Sequence, residues 1–505
     1  MGLFEARDLG LVRAVSDLVY VNPFLPERIT LERAALGEDF EEREAQWNLV
    51  TVGQHDPVNV QRLLHRARAV AGAARTRLAD AAKPTPEELV LYEDLCLFLL
   101  YYESRDQFLL IQEGSTPSPS ARAVFREFLV RATELLDLTG ARLSALDDLP
   151  HLFAVFFQVR RAFHQISLHI TGRSAAASRL RAVIWQSIFT HDMRRYRRSL
   201  YERMGDVATL ITGPSGTGKE LVARAIGLSR YLPFDPQRGG FDGPVDESFH
   251  ALNLPALSPT LIESELFGHS RGSFTGASAD HAGWFEVCPA RGSVFLDEIG
   301  DLDPSLQVKL LRVLQTRTFQ RLGETTPRRF VGKVIAATNR DLASELTAGR
   351  FREDLFYRLC ADHVVTPSLR QHLDDDPDEL PHLVEFIARR MVGEEAPALT
   401  DEVVSWIRGN LDSTYPWRGN FRELEQCVRS VLVRREYHPI HASSNAASTL
   451  GRDVDACALT ADQLLQRYCR LVYQRAGSYE GAARILDLDR RTVKAKTEGA
   501  EEARE

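Results

Sequence analysis

The chain has no pair of cysteines at CxxC spacing, no apolar run long enough to span a bilayer and no excess of positive charge. Each absence excludes a class of function. Six cysteines, Cys96, Cys288, Cys360, Cys427, Cys457 and Cys469, are scattered, which fits free structural thiols in a reducing compartment better than a disulfide framework or a zinc site. The most apolar stretches, Leu95 to Tyr102 and Leu152 to Val159, are too short for a membrane helix. Met1 is followed by no basic segment leading into an apolar core, so the expected compartment is the cytoplasm, without a membrane partner. A formal net charge of -8 argues against coating nucleic acid with the whole surface and confines any DNA contact to one local basic element.

What is present is length and periodicity. At 505 residues the chain exceeds what one hydrophobic core holds. Residues 1–175 carry helical periodicity in Val60 to Ala79, Glu87 to Leu110 and Ala121 to Leu136, broken at Lys83-Pro-Thr-Pro86 and Ser115 to Ser120, which predicts a helical regulatory domain. Within it Phe153, Phe156, Phe157 and Phe163, near His151, His164 and His169, form an aromatic stripe at helical spacing and are expected as core rather than as a metal or aromatic-ligand pocket. The basic run Arg194, Arg195, Arg197, Arg198 and Arg203 is expected as a solvated helix face. Residues 176–370 change to apolar runs alternating with helices, the signature of an α/β layer with a parallel sheet, its strands at Ala208 to Ile211, Phe249 to Leu252, Ser293 to Leu296 and Lys333 to Ala337. Residues 371–440 read as a helical lid, 441–457 as a flexible linker and 458–505 as a last helical unit.

The most informative stretch is Gly213-Pro-Ser-Gly-Thr-Gly-Lys-Glu220, between an apolar strand and a helix. Gly213, Gly216 and Gly218 permit close backbone approach to phosphates; with them Ser215 and Thr217 complete the loop, and Lys219 adds charge at the β and γ positions. Glu220 stands where the general pattern has the Ser or Thr that holds magnesium, so another group must orient the metal. Val294-Phe-Leu-Asp-Glu298 supplies it: Asp297 is suited to hold Mg through water, and Glu298 to polarise the attacking water. The strand ending in Thr338 and Asn339 offers a γ-phosphate sensor. Arg352 and Arg358, in Arg350-Phe-Arg-Glu-Asp-Leu-Phe-Tyr-Arg358, are placed to reach a phosphate in a neighbouring subunit.

Taken with Glu263-Ser-Glu-Leu-Phe-Gly-His269, Gly272-Ser-Phe-Thr-Gly-Ala277 and Lys309 to Gln315, these motifs resemble the AAA+ ATPase domain of sigma-54-dependent transcriptional activators, the bacterial enhancer-binding proteins. The resemblance runs from about Thr209 to Arg435 and implies an ATPase whose substrate is a protein, sigma-54 in the promoter-bound polymerase holoenzyme. It implies that Gly272, Ser273, Phe274, Thr275, Gly276 and Ala277 form the sigma-54 loop, with Phe274 and Thr275 in contact; the family has Ala at the position of Ser273. It assigns Asn253 to hold Glu298 away from water, Arg352 and Arg358 as trans-acting arginine fingers, and Arg422 as the lid arginine at the phosphates. It shares the acid at Glu220, and it implies self-association from dimers to a hexameric ring. Two stretches depart from the family: Tyr231 to Glu247 reads as a surface insertion, and Gln371 to Asp376 as an acidic stretch that alters the hinge between sheet and lid.

At the C-terminus, a helix over Ala461 to Arg475, then Tyr479 to Leu486, a turn at Asp487-Leu-Asp489 and Arg490 to Lys496, with Ala482, Ala483, Ile485, Leu486, Leu488 and Val493 as a small core, look like a Fis-type helix-turn-helix. Arg490, Arg491, Thr492, Lys494 and Lys496 are the expected contacts to an upstream DNA site. Two other classes stay open on sequence alone: a DNA-binding regulator switched by ATP, and an AAA+ remodeller of some other complex.

Overall fold

The computed structural model describes residues 2–42, 58–79, 83–113, 120–138, 141–243, 248–439, 454 and 459–498, and the chain divides into two compact units, 1–428 and 429–505. The predicted linker lies outside the described residues apart from Val454. The larger unit opens with α1 (Leu9–Leu18), α2 (Glu27–Leu36), α3 (Val58–Ala79), α4 (Pro86–Glu113), α5 (Ala121–Leu136), α6 (Leu149–His169) and α7 (Ala175–Phe189). Ser120, Asp148 and Ser174 accept a bond from a first-turn amide of α5, α6 and α7, satisfying donors that a helix start leaves open. Pro86 itself opens α4, where a missing N–H costs nothing. Among the described residues no helix is long and apolar enough to cross a membrane.

A five-stranded parallel sheet follows, built from β1 (Thr209–Thr212), β2 (Phe249–Asn253), β3 (Ser293–Asp297), β4 (Lys333–Thr338) and β5 (Asp362–Val365) in the order β2-β3-β4-β1-β5. Strand alternation sends side chains to opposite faces. Leu210, Leu296 and Ala336 pack on one side with the helices Pro259–Phe267, Pro304–Thr316 and Glu353–Leu359. Ile211, Phe295, Ile335 and Val364 pack on the other with α8 (Lys219–Gly227) and with Ile166 and Trp185 from α6 and α7. The helices on either side of residue 175 therefore share one core with the sheet. β5 was not expected from the sequence: Asp362-His-Val-Val365 is short and lies at the sheet edge with Val365 exposed, so only one of its residues, Val364, is fully buried.

The aromatic stripe of α6 is core, with Phe153, Phe156 and Phe157 buried and Phe163 stacked on Phe24. His151 shares hydrogen bonds with the Tyr231 hydroxyl at 2.8 Å and the Arg197 carbonyl at 2.7 Å. The stretch read as a surface insertion departs from that expectation. Tyr231, Leu232 and Phe234 are buried, and the two-stranded hairpin Phe234–Asp235 with Gly240–Phe241 stacks Phe241 on Phe157 at 4.0 Å. Its aromatic residues are a docking hairpin that ties α6 to the sheet domain; the Gly and Asp content belongs to the turn. Residues 244–247 lie outside the described residues. The basic run is likewise divided: Arg194 donates to buried Asp94 at 2.6 Å and Arg197 is mostly covered, whereas Arg195 and Arg198 are exposed.

The lid comprises the helices Glu379–Val392, Ala396–Asn410 and Asn420–Arg434. The turn from α6 to α7 meets its start. Glu379, fully buried, accepts from the Arg173 amide with both carboxylate oxygens at 2.7 Å, and His372 Nδ1 shares a 2.8 Å bond with Ser174 Oγ. Buried Arg181 donates to the carbonyls of Ile170 and Gly172 and so stiffens the same turn. The acidic stretch folds as the helix Leu369–Asp375, started by a Ser368–Gln371 capping box and tied to α7 through Asp375 and Arg179 at 2.6 Å.

The smaller unit has helices Ala461–Ala476, Tyr479–Leu486 and Arg490–Glu498 around Val472, Ala482 and Val493. Thr460 and Gln463 form a capping box at its entrance, and Asp487 ends the second helix in the left-handed region. Ile485, expected in this core, is instead 64% exposed, because Ala482 occupies the inward position on that short helix.

Candidate functional site

Strand register fixes the site. Asn253 lies opposite Asp297, Leu296 opposite Ala336, and Thr212 opposite Thr338, so β1 to β4 end at one level. Ligands sit at such carboxyl edges of parallel sheets. The loop after β1 turns through positive φ at Gly213, Gly216 and Gly218, and Gly218 hands the chain to α8. A Cβ on Gly213 would collide with Thr366, and one on Gly216 with the Gly419 carbonyl, so these two glycines are demanded by close approach of neighbouring backbone. Thr217 Oγ1 donates to the Pro214 carbonyl at 2.8 Å and shares a 2.6 Å bond with Thr366 Oγ1. Lys219 is buried, and its ammonium donates to the carbonyls of Gly213 at 3.0 Å and Pro214 at 3.2 Å.

Burial lowers the Lys219 pKa, while the carboxylates of Glu298 and Asp297 act to raise it and Arg422 to lower it. Loop lysine, strand-end acids and lid arginine thus converge. Asp297 is held above its ordinary value by burial first and by Glu298 second; two adjoining, half-buried acids are a donor set suited to a divalent cation. Glu298 has a left-handed backbone, φ 56°, and its Oε2 accepts from the Asn339 amide at 3.0 Å. Asn253, at the matching level on β2, is exposed, and among the described residues no hydrogen bond joins it to Glu298. Thr338 is buried and its hydroxyl accepts from the Arg340 amide at 3.1 Å, so the side chain braces the turn after β4. Glu220 is exposed and accepts from Arg224 at 3.0 Å on the first turn of α8.

The lid closes directly on the loop. Phe421 N donates to the Gly216 carbonyl at 3.0 Å, Asn420 Nδ2 to the Ser215 carbonyl at 2.9 Å, and Arg422 reaches Ser215 Oγ at 3.4 Å. Asn420 Oδ1 also accepts from the Leu369 amide at 2.9 Å, which pins the lid to the segment following β5. Asn420 and Thr366 were missed as site residues in the sequence. Their signals were present: Thr366 follows β5 directly before a proline, and Trp417-Arg-Gly-Asn420 is a turn with positive φ at Trp417 and Asn420.

Arg352 pairs with Asp354 at 2.7 Å, and Arg358 is exposed with no hydrogen bond or ion pair among the described residues. Neither forms a hydrogen bond with its own phosphate loop among the described residues. Gly272, at φ 82°, and Gly276, at φ 103°, bound a tight turn in which Gly272 N donates to the Ala277 carbonyl and Ala277 N to the Phe274 carbonyl. Phe274 is half-buried, edge-on to the His269 ring at 5.0 Å, while Thr275 is exposed. The Ser273 hydroxyl is buried without a hydrogen-bond partner. In the smaller unit Arg490, Arg491 and Lys494 are exposed; Thr492 Oγ1 donates to Asp489 and Lys496 pairs with Asp462, so these last two side chains are engaged locally.

Residues 187–365 match the family described as "Sigma-54 interaction domain". The chain is 44% identical over 228 residues to a Nif-specific regulatory protein of Enterobacter agglomerans, covering 45% of this chain and 40% of that protein. It is 36% identical over 302 residues to transcriptional regulatory protein ZraR of Escherichia coli strain K12, covering 58% and 63% respectively. The chain thus spans between 40% and 63% of the length of these relatives. A crystal structure of NtrX from Brucella abortus in complex with ATP aligns at 24% identity over 70% of this chain and 76% of that one, with a TM-score of 0.39.

Proposed function

We propose, from the match of residues 187–365 to the sigma-54 interaction domain family, that the protein is an ATP-driven transcription activator that opens sigma-54 promoter complexes. The observation that carries this reading is the convergence of Lys219, Asp297, Glu298 and Arg422 at one sheet edge, in a chain that also presents Phe274 and Thr275 between two glycines. Bound ATP supplies the phosphoanhydride whose hydrolysis drives the cycle. The backbone N–H groups of Gly213 and of Ser215 to Gly218 and the Lys219 ammonium would hold the phosphate groups, and Asp297 is the residue that would hold Mg. Glu298 takes the proton of the attacking water. Its Oε2 is engaged by the Asn339 amide in this structure, so the carboxylate must leave that bond before it can act. Asn339 is thereby read as the group restraining the catalytic acid, in place of Asn253.

Arg352 and Arg358 serve the site of an adjacent subunit in a ring, which accounts for their forming no hydrogen bond with their own loop among the described residues. Phe274 leaves the His269 ring and, with Thr275, engages sigma-54, while Arg490, Arg491 and Lys494 hold upstream DNA. The compartment is the cytoplasm. The test is open-complex formation by the purified chain with sigma-54 holoenzyme, promoter DNA and ATP. Glu298→Gln is expected to abolish both hydrolysis and opening, and Phe274→Ala to abolish opening with hydrolysis retained. Robust hydrolysis without open complexes in the unsubstituted chain would assign the motor to some other protein complex. Nucleotide binding without hydrolysis would make the protein an ATP-switched regulator.

A further inference from the structure

The N-terminal helices enclose a cavity of about 760 Å³, between the segment after α1, α2, α3, α4, α6, α7 and the turn that follows α7. Much of its wall is apolar and aromatic, including Phe98, Val155, Phe156, Phe163, Trp185 and Met193. Arg28, Arg105, Arg160 and Arg197 also line it, against Glu32 and Asp106 as the lining acids. Arg28 Nε donates to Glu32 at 2.8 Å and Arg105 lies 3.5 Å from Asp106. Arg197 is 3.8 Å from Glu93, whose carboxylate already accepts from the Ser144 and Ala145 amides and the Ser144 hydroxyl. Arg160 is different. It forms no hydrogen bond or ion pair among the described residues, and its Nε is buried without a partner.

Arg160 is half-buried, its Nε has no acceptor and neither lining acid pairs with it, so its guanidinium is the cation of this wall left open to an entering anion. We propose that this cavity is a binding site for a small amphiphilic carboxylate, its apolar body against Phe156, Phe163 and Trp185 and its carboxylate paired with Arg160. Guanidinium matches carboxylate in a bidentate fork, and the rings offer area that a fully hydrated anion would not use. Arg160, Arg105 and Arg28 also act on the phenol of Tyr101, which burial pushes up to about 12, so three cations face one region of the wall. Trp185, Met193 and Arg197 belong to α7 and the turn leading toward β1, so an occupant touches the segment that joins the helices to the sheet. The site stands whether or not the promoter-opening reading does.

Calorimetric titration of the full chain with benzoate, naphthalene-1-acetate and octanoate, each beside its primary amide, tests this. At least one carboxylate is expected to bind saturably and about tenfold or more tighter than its amide. Arg160→Gln should erase that difference while leaving the weak amide affinity and the melting temperature near those of the parent, and Arg160→Lys should retain most of the preference. The proposal is overturned if none of the three carboxylates binds, if carboxylate and amide bind alike, or if Arg160→Gln keeps the discrimination.

Discussion

At the scale of single residues, His372 shows how a buried ring sets a pH limit on the segment between sheet and lid. Burial, and after it the charge of Arg181, hold its pKa down to about 4, against roughly 6.5 for a free ring. The folded state therefore keeps His372 neutral where the unfolded chain would protonate it. Its contribution is complete above pH 6.5 and is lost as pH falls through 4, amounting to about 3 kcal/mol across that window. Thermal melts between pH 7 and pH 4 should show His372→Gln with a shallower acid slope than the parent; parallel slopes would remove His372 as the cause. On the proposed function Glu298 is the opposite case, a residue whose worth is kinetic. Glu298→Gln should lower ATP turnover about a hundredfold or more, with nucleotide affinity kept, as read by a coupled phosphate assay and by equilibrium binding.

At the scale of elements, one asparagine with a left-handed backbone ties the lid to two other segments at once. Asn420→Ala removes bonds to the Ser215 carbonyl and the Leu369 amide and places a Cβ-bearing residue without a stabilising side chain at φ 52°. The cost should be about 2–4 kcal/mol, with Asn420→Gly recovering about 1 kcal/mol of it through the backbone alone. Hydrogen exchange at the start of the last lid helix reads both. The elements that the sequence disclosed were those whose pattern repeats locally. Strands β1 to β4 announce themselves as apolar runs, and the phosphate loop by its glycines. The strand β5 and the Phe234–Phe241 hairpin did not, because each gains its stability from a distant partner: β5 from register with β1, and the hairpin from rings on α6. The same holds for the site. Lys219, Asp297 and Glu298 were legible as motif residues, while Asn420, Thr366 and the Asn339 amide acquire their roles through contacts with residues far away in the chain.

At the scale of the whole molecule, two arginines that form no hydrogen bond with their own loop among the described residues predict shared sites. Arg358→Ala should leave the melting temperature unchanged within about 0.5 kcal/mol of stability, since the side chain is exposed and unpaired among the described residues, yet it should abolish hydrolysis. Mixing inactive Arg358→Ala with inactive Glu298→Gln subunits should restore partial turnover, because one of the mixed junctions joins an intact arginine to an intact acid. A mixture as inactive as its parts would rule out sites completed between subunits. The turn at residues 170–174 bears on how the N-terminal helices are to be dissected. Arg173 and Ser174 hold Glu379 and His372 of the lid region, so a chain begun at residue 176 loses these partners together with the helices. Faster or slower hydrolysis in such a truncation would report a loosened lid as readily as the loss of an inhibitor. A chain begun just ahead of α6 discards α1 to α5, and with them part of the cavity wall, yet keeps this clasp, and the difference in rate between the two lengths is the joint share of the clasp and of α6 packed on the sheet.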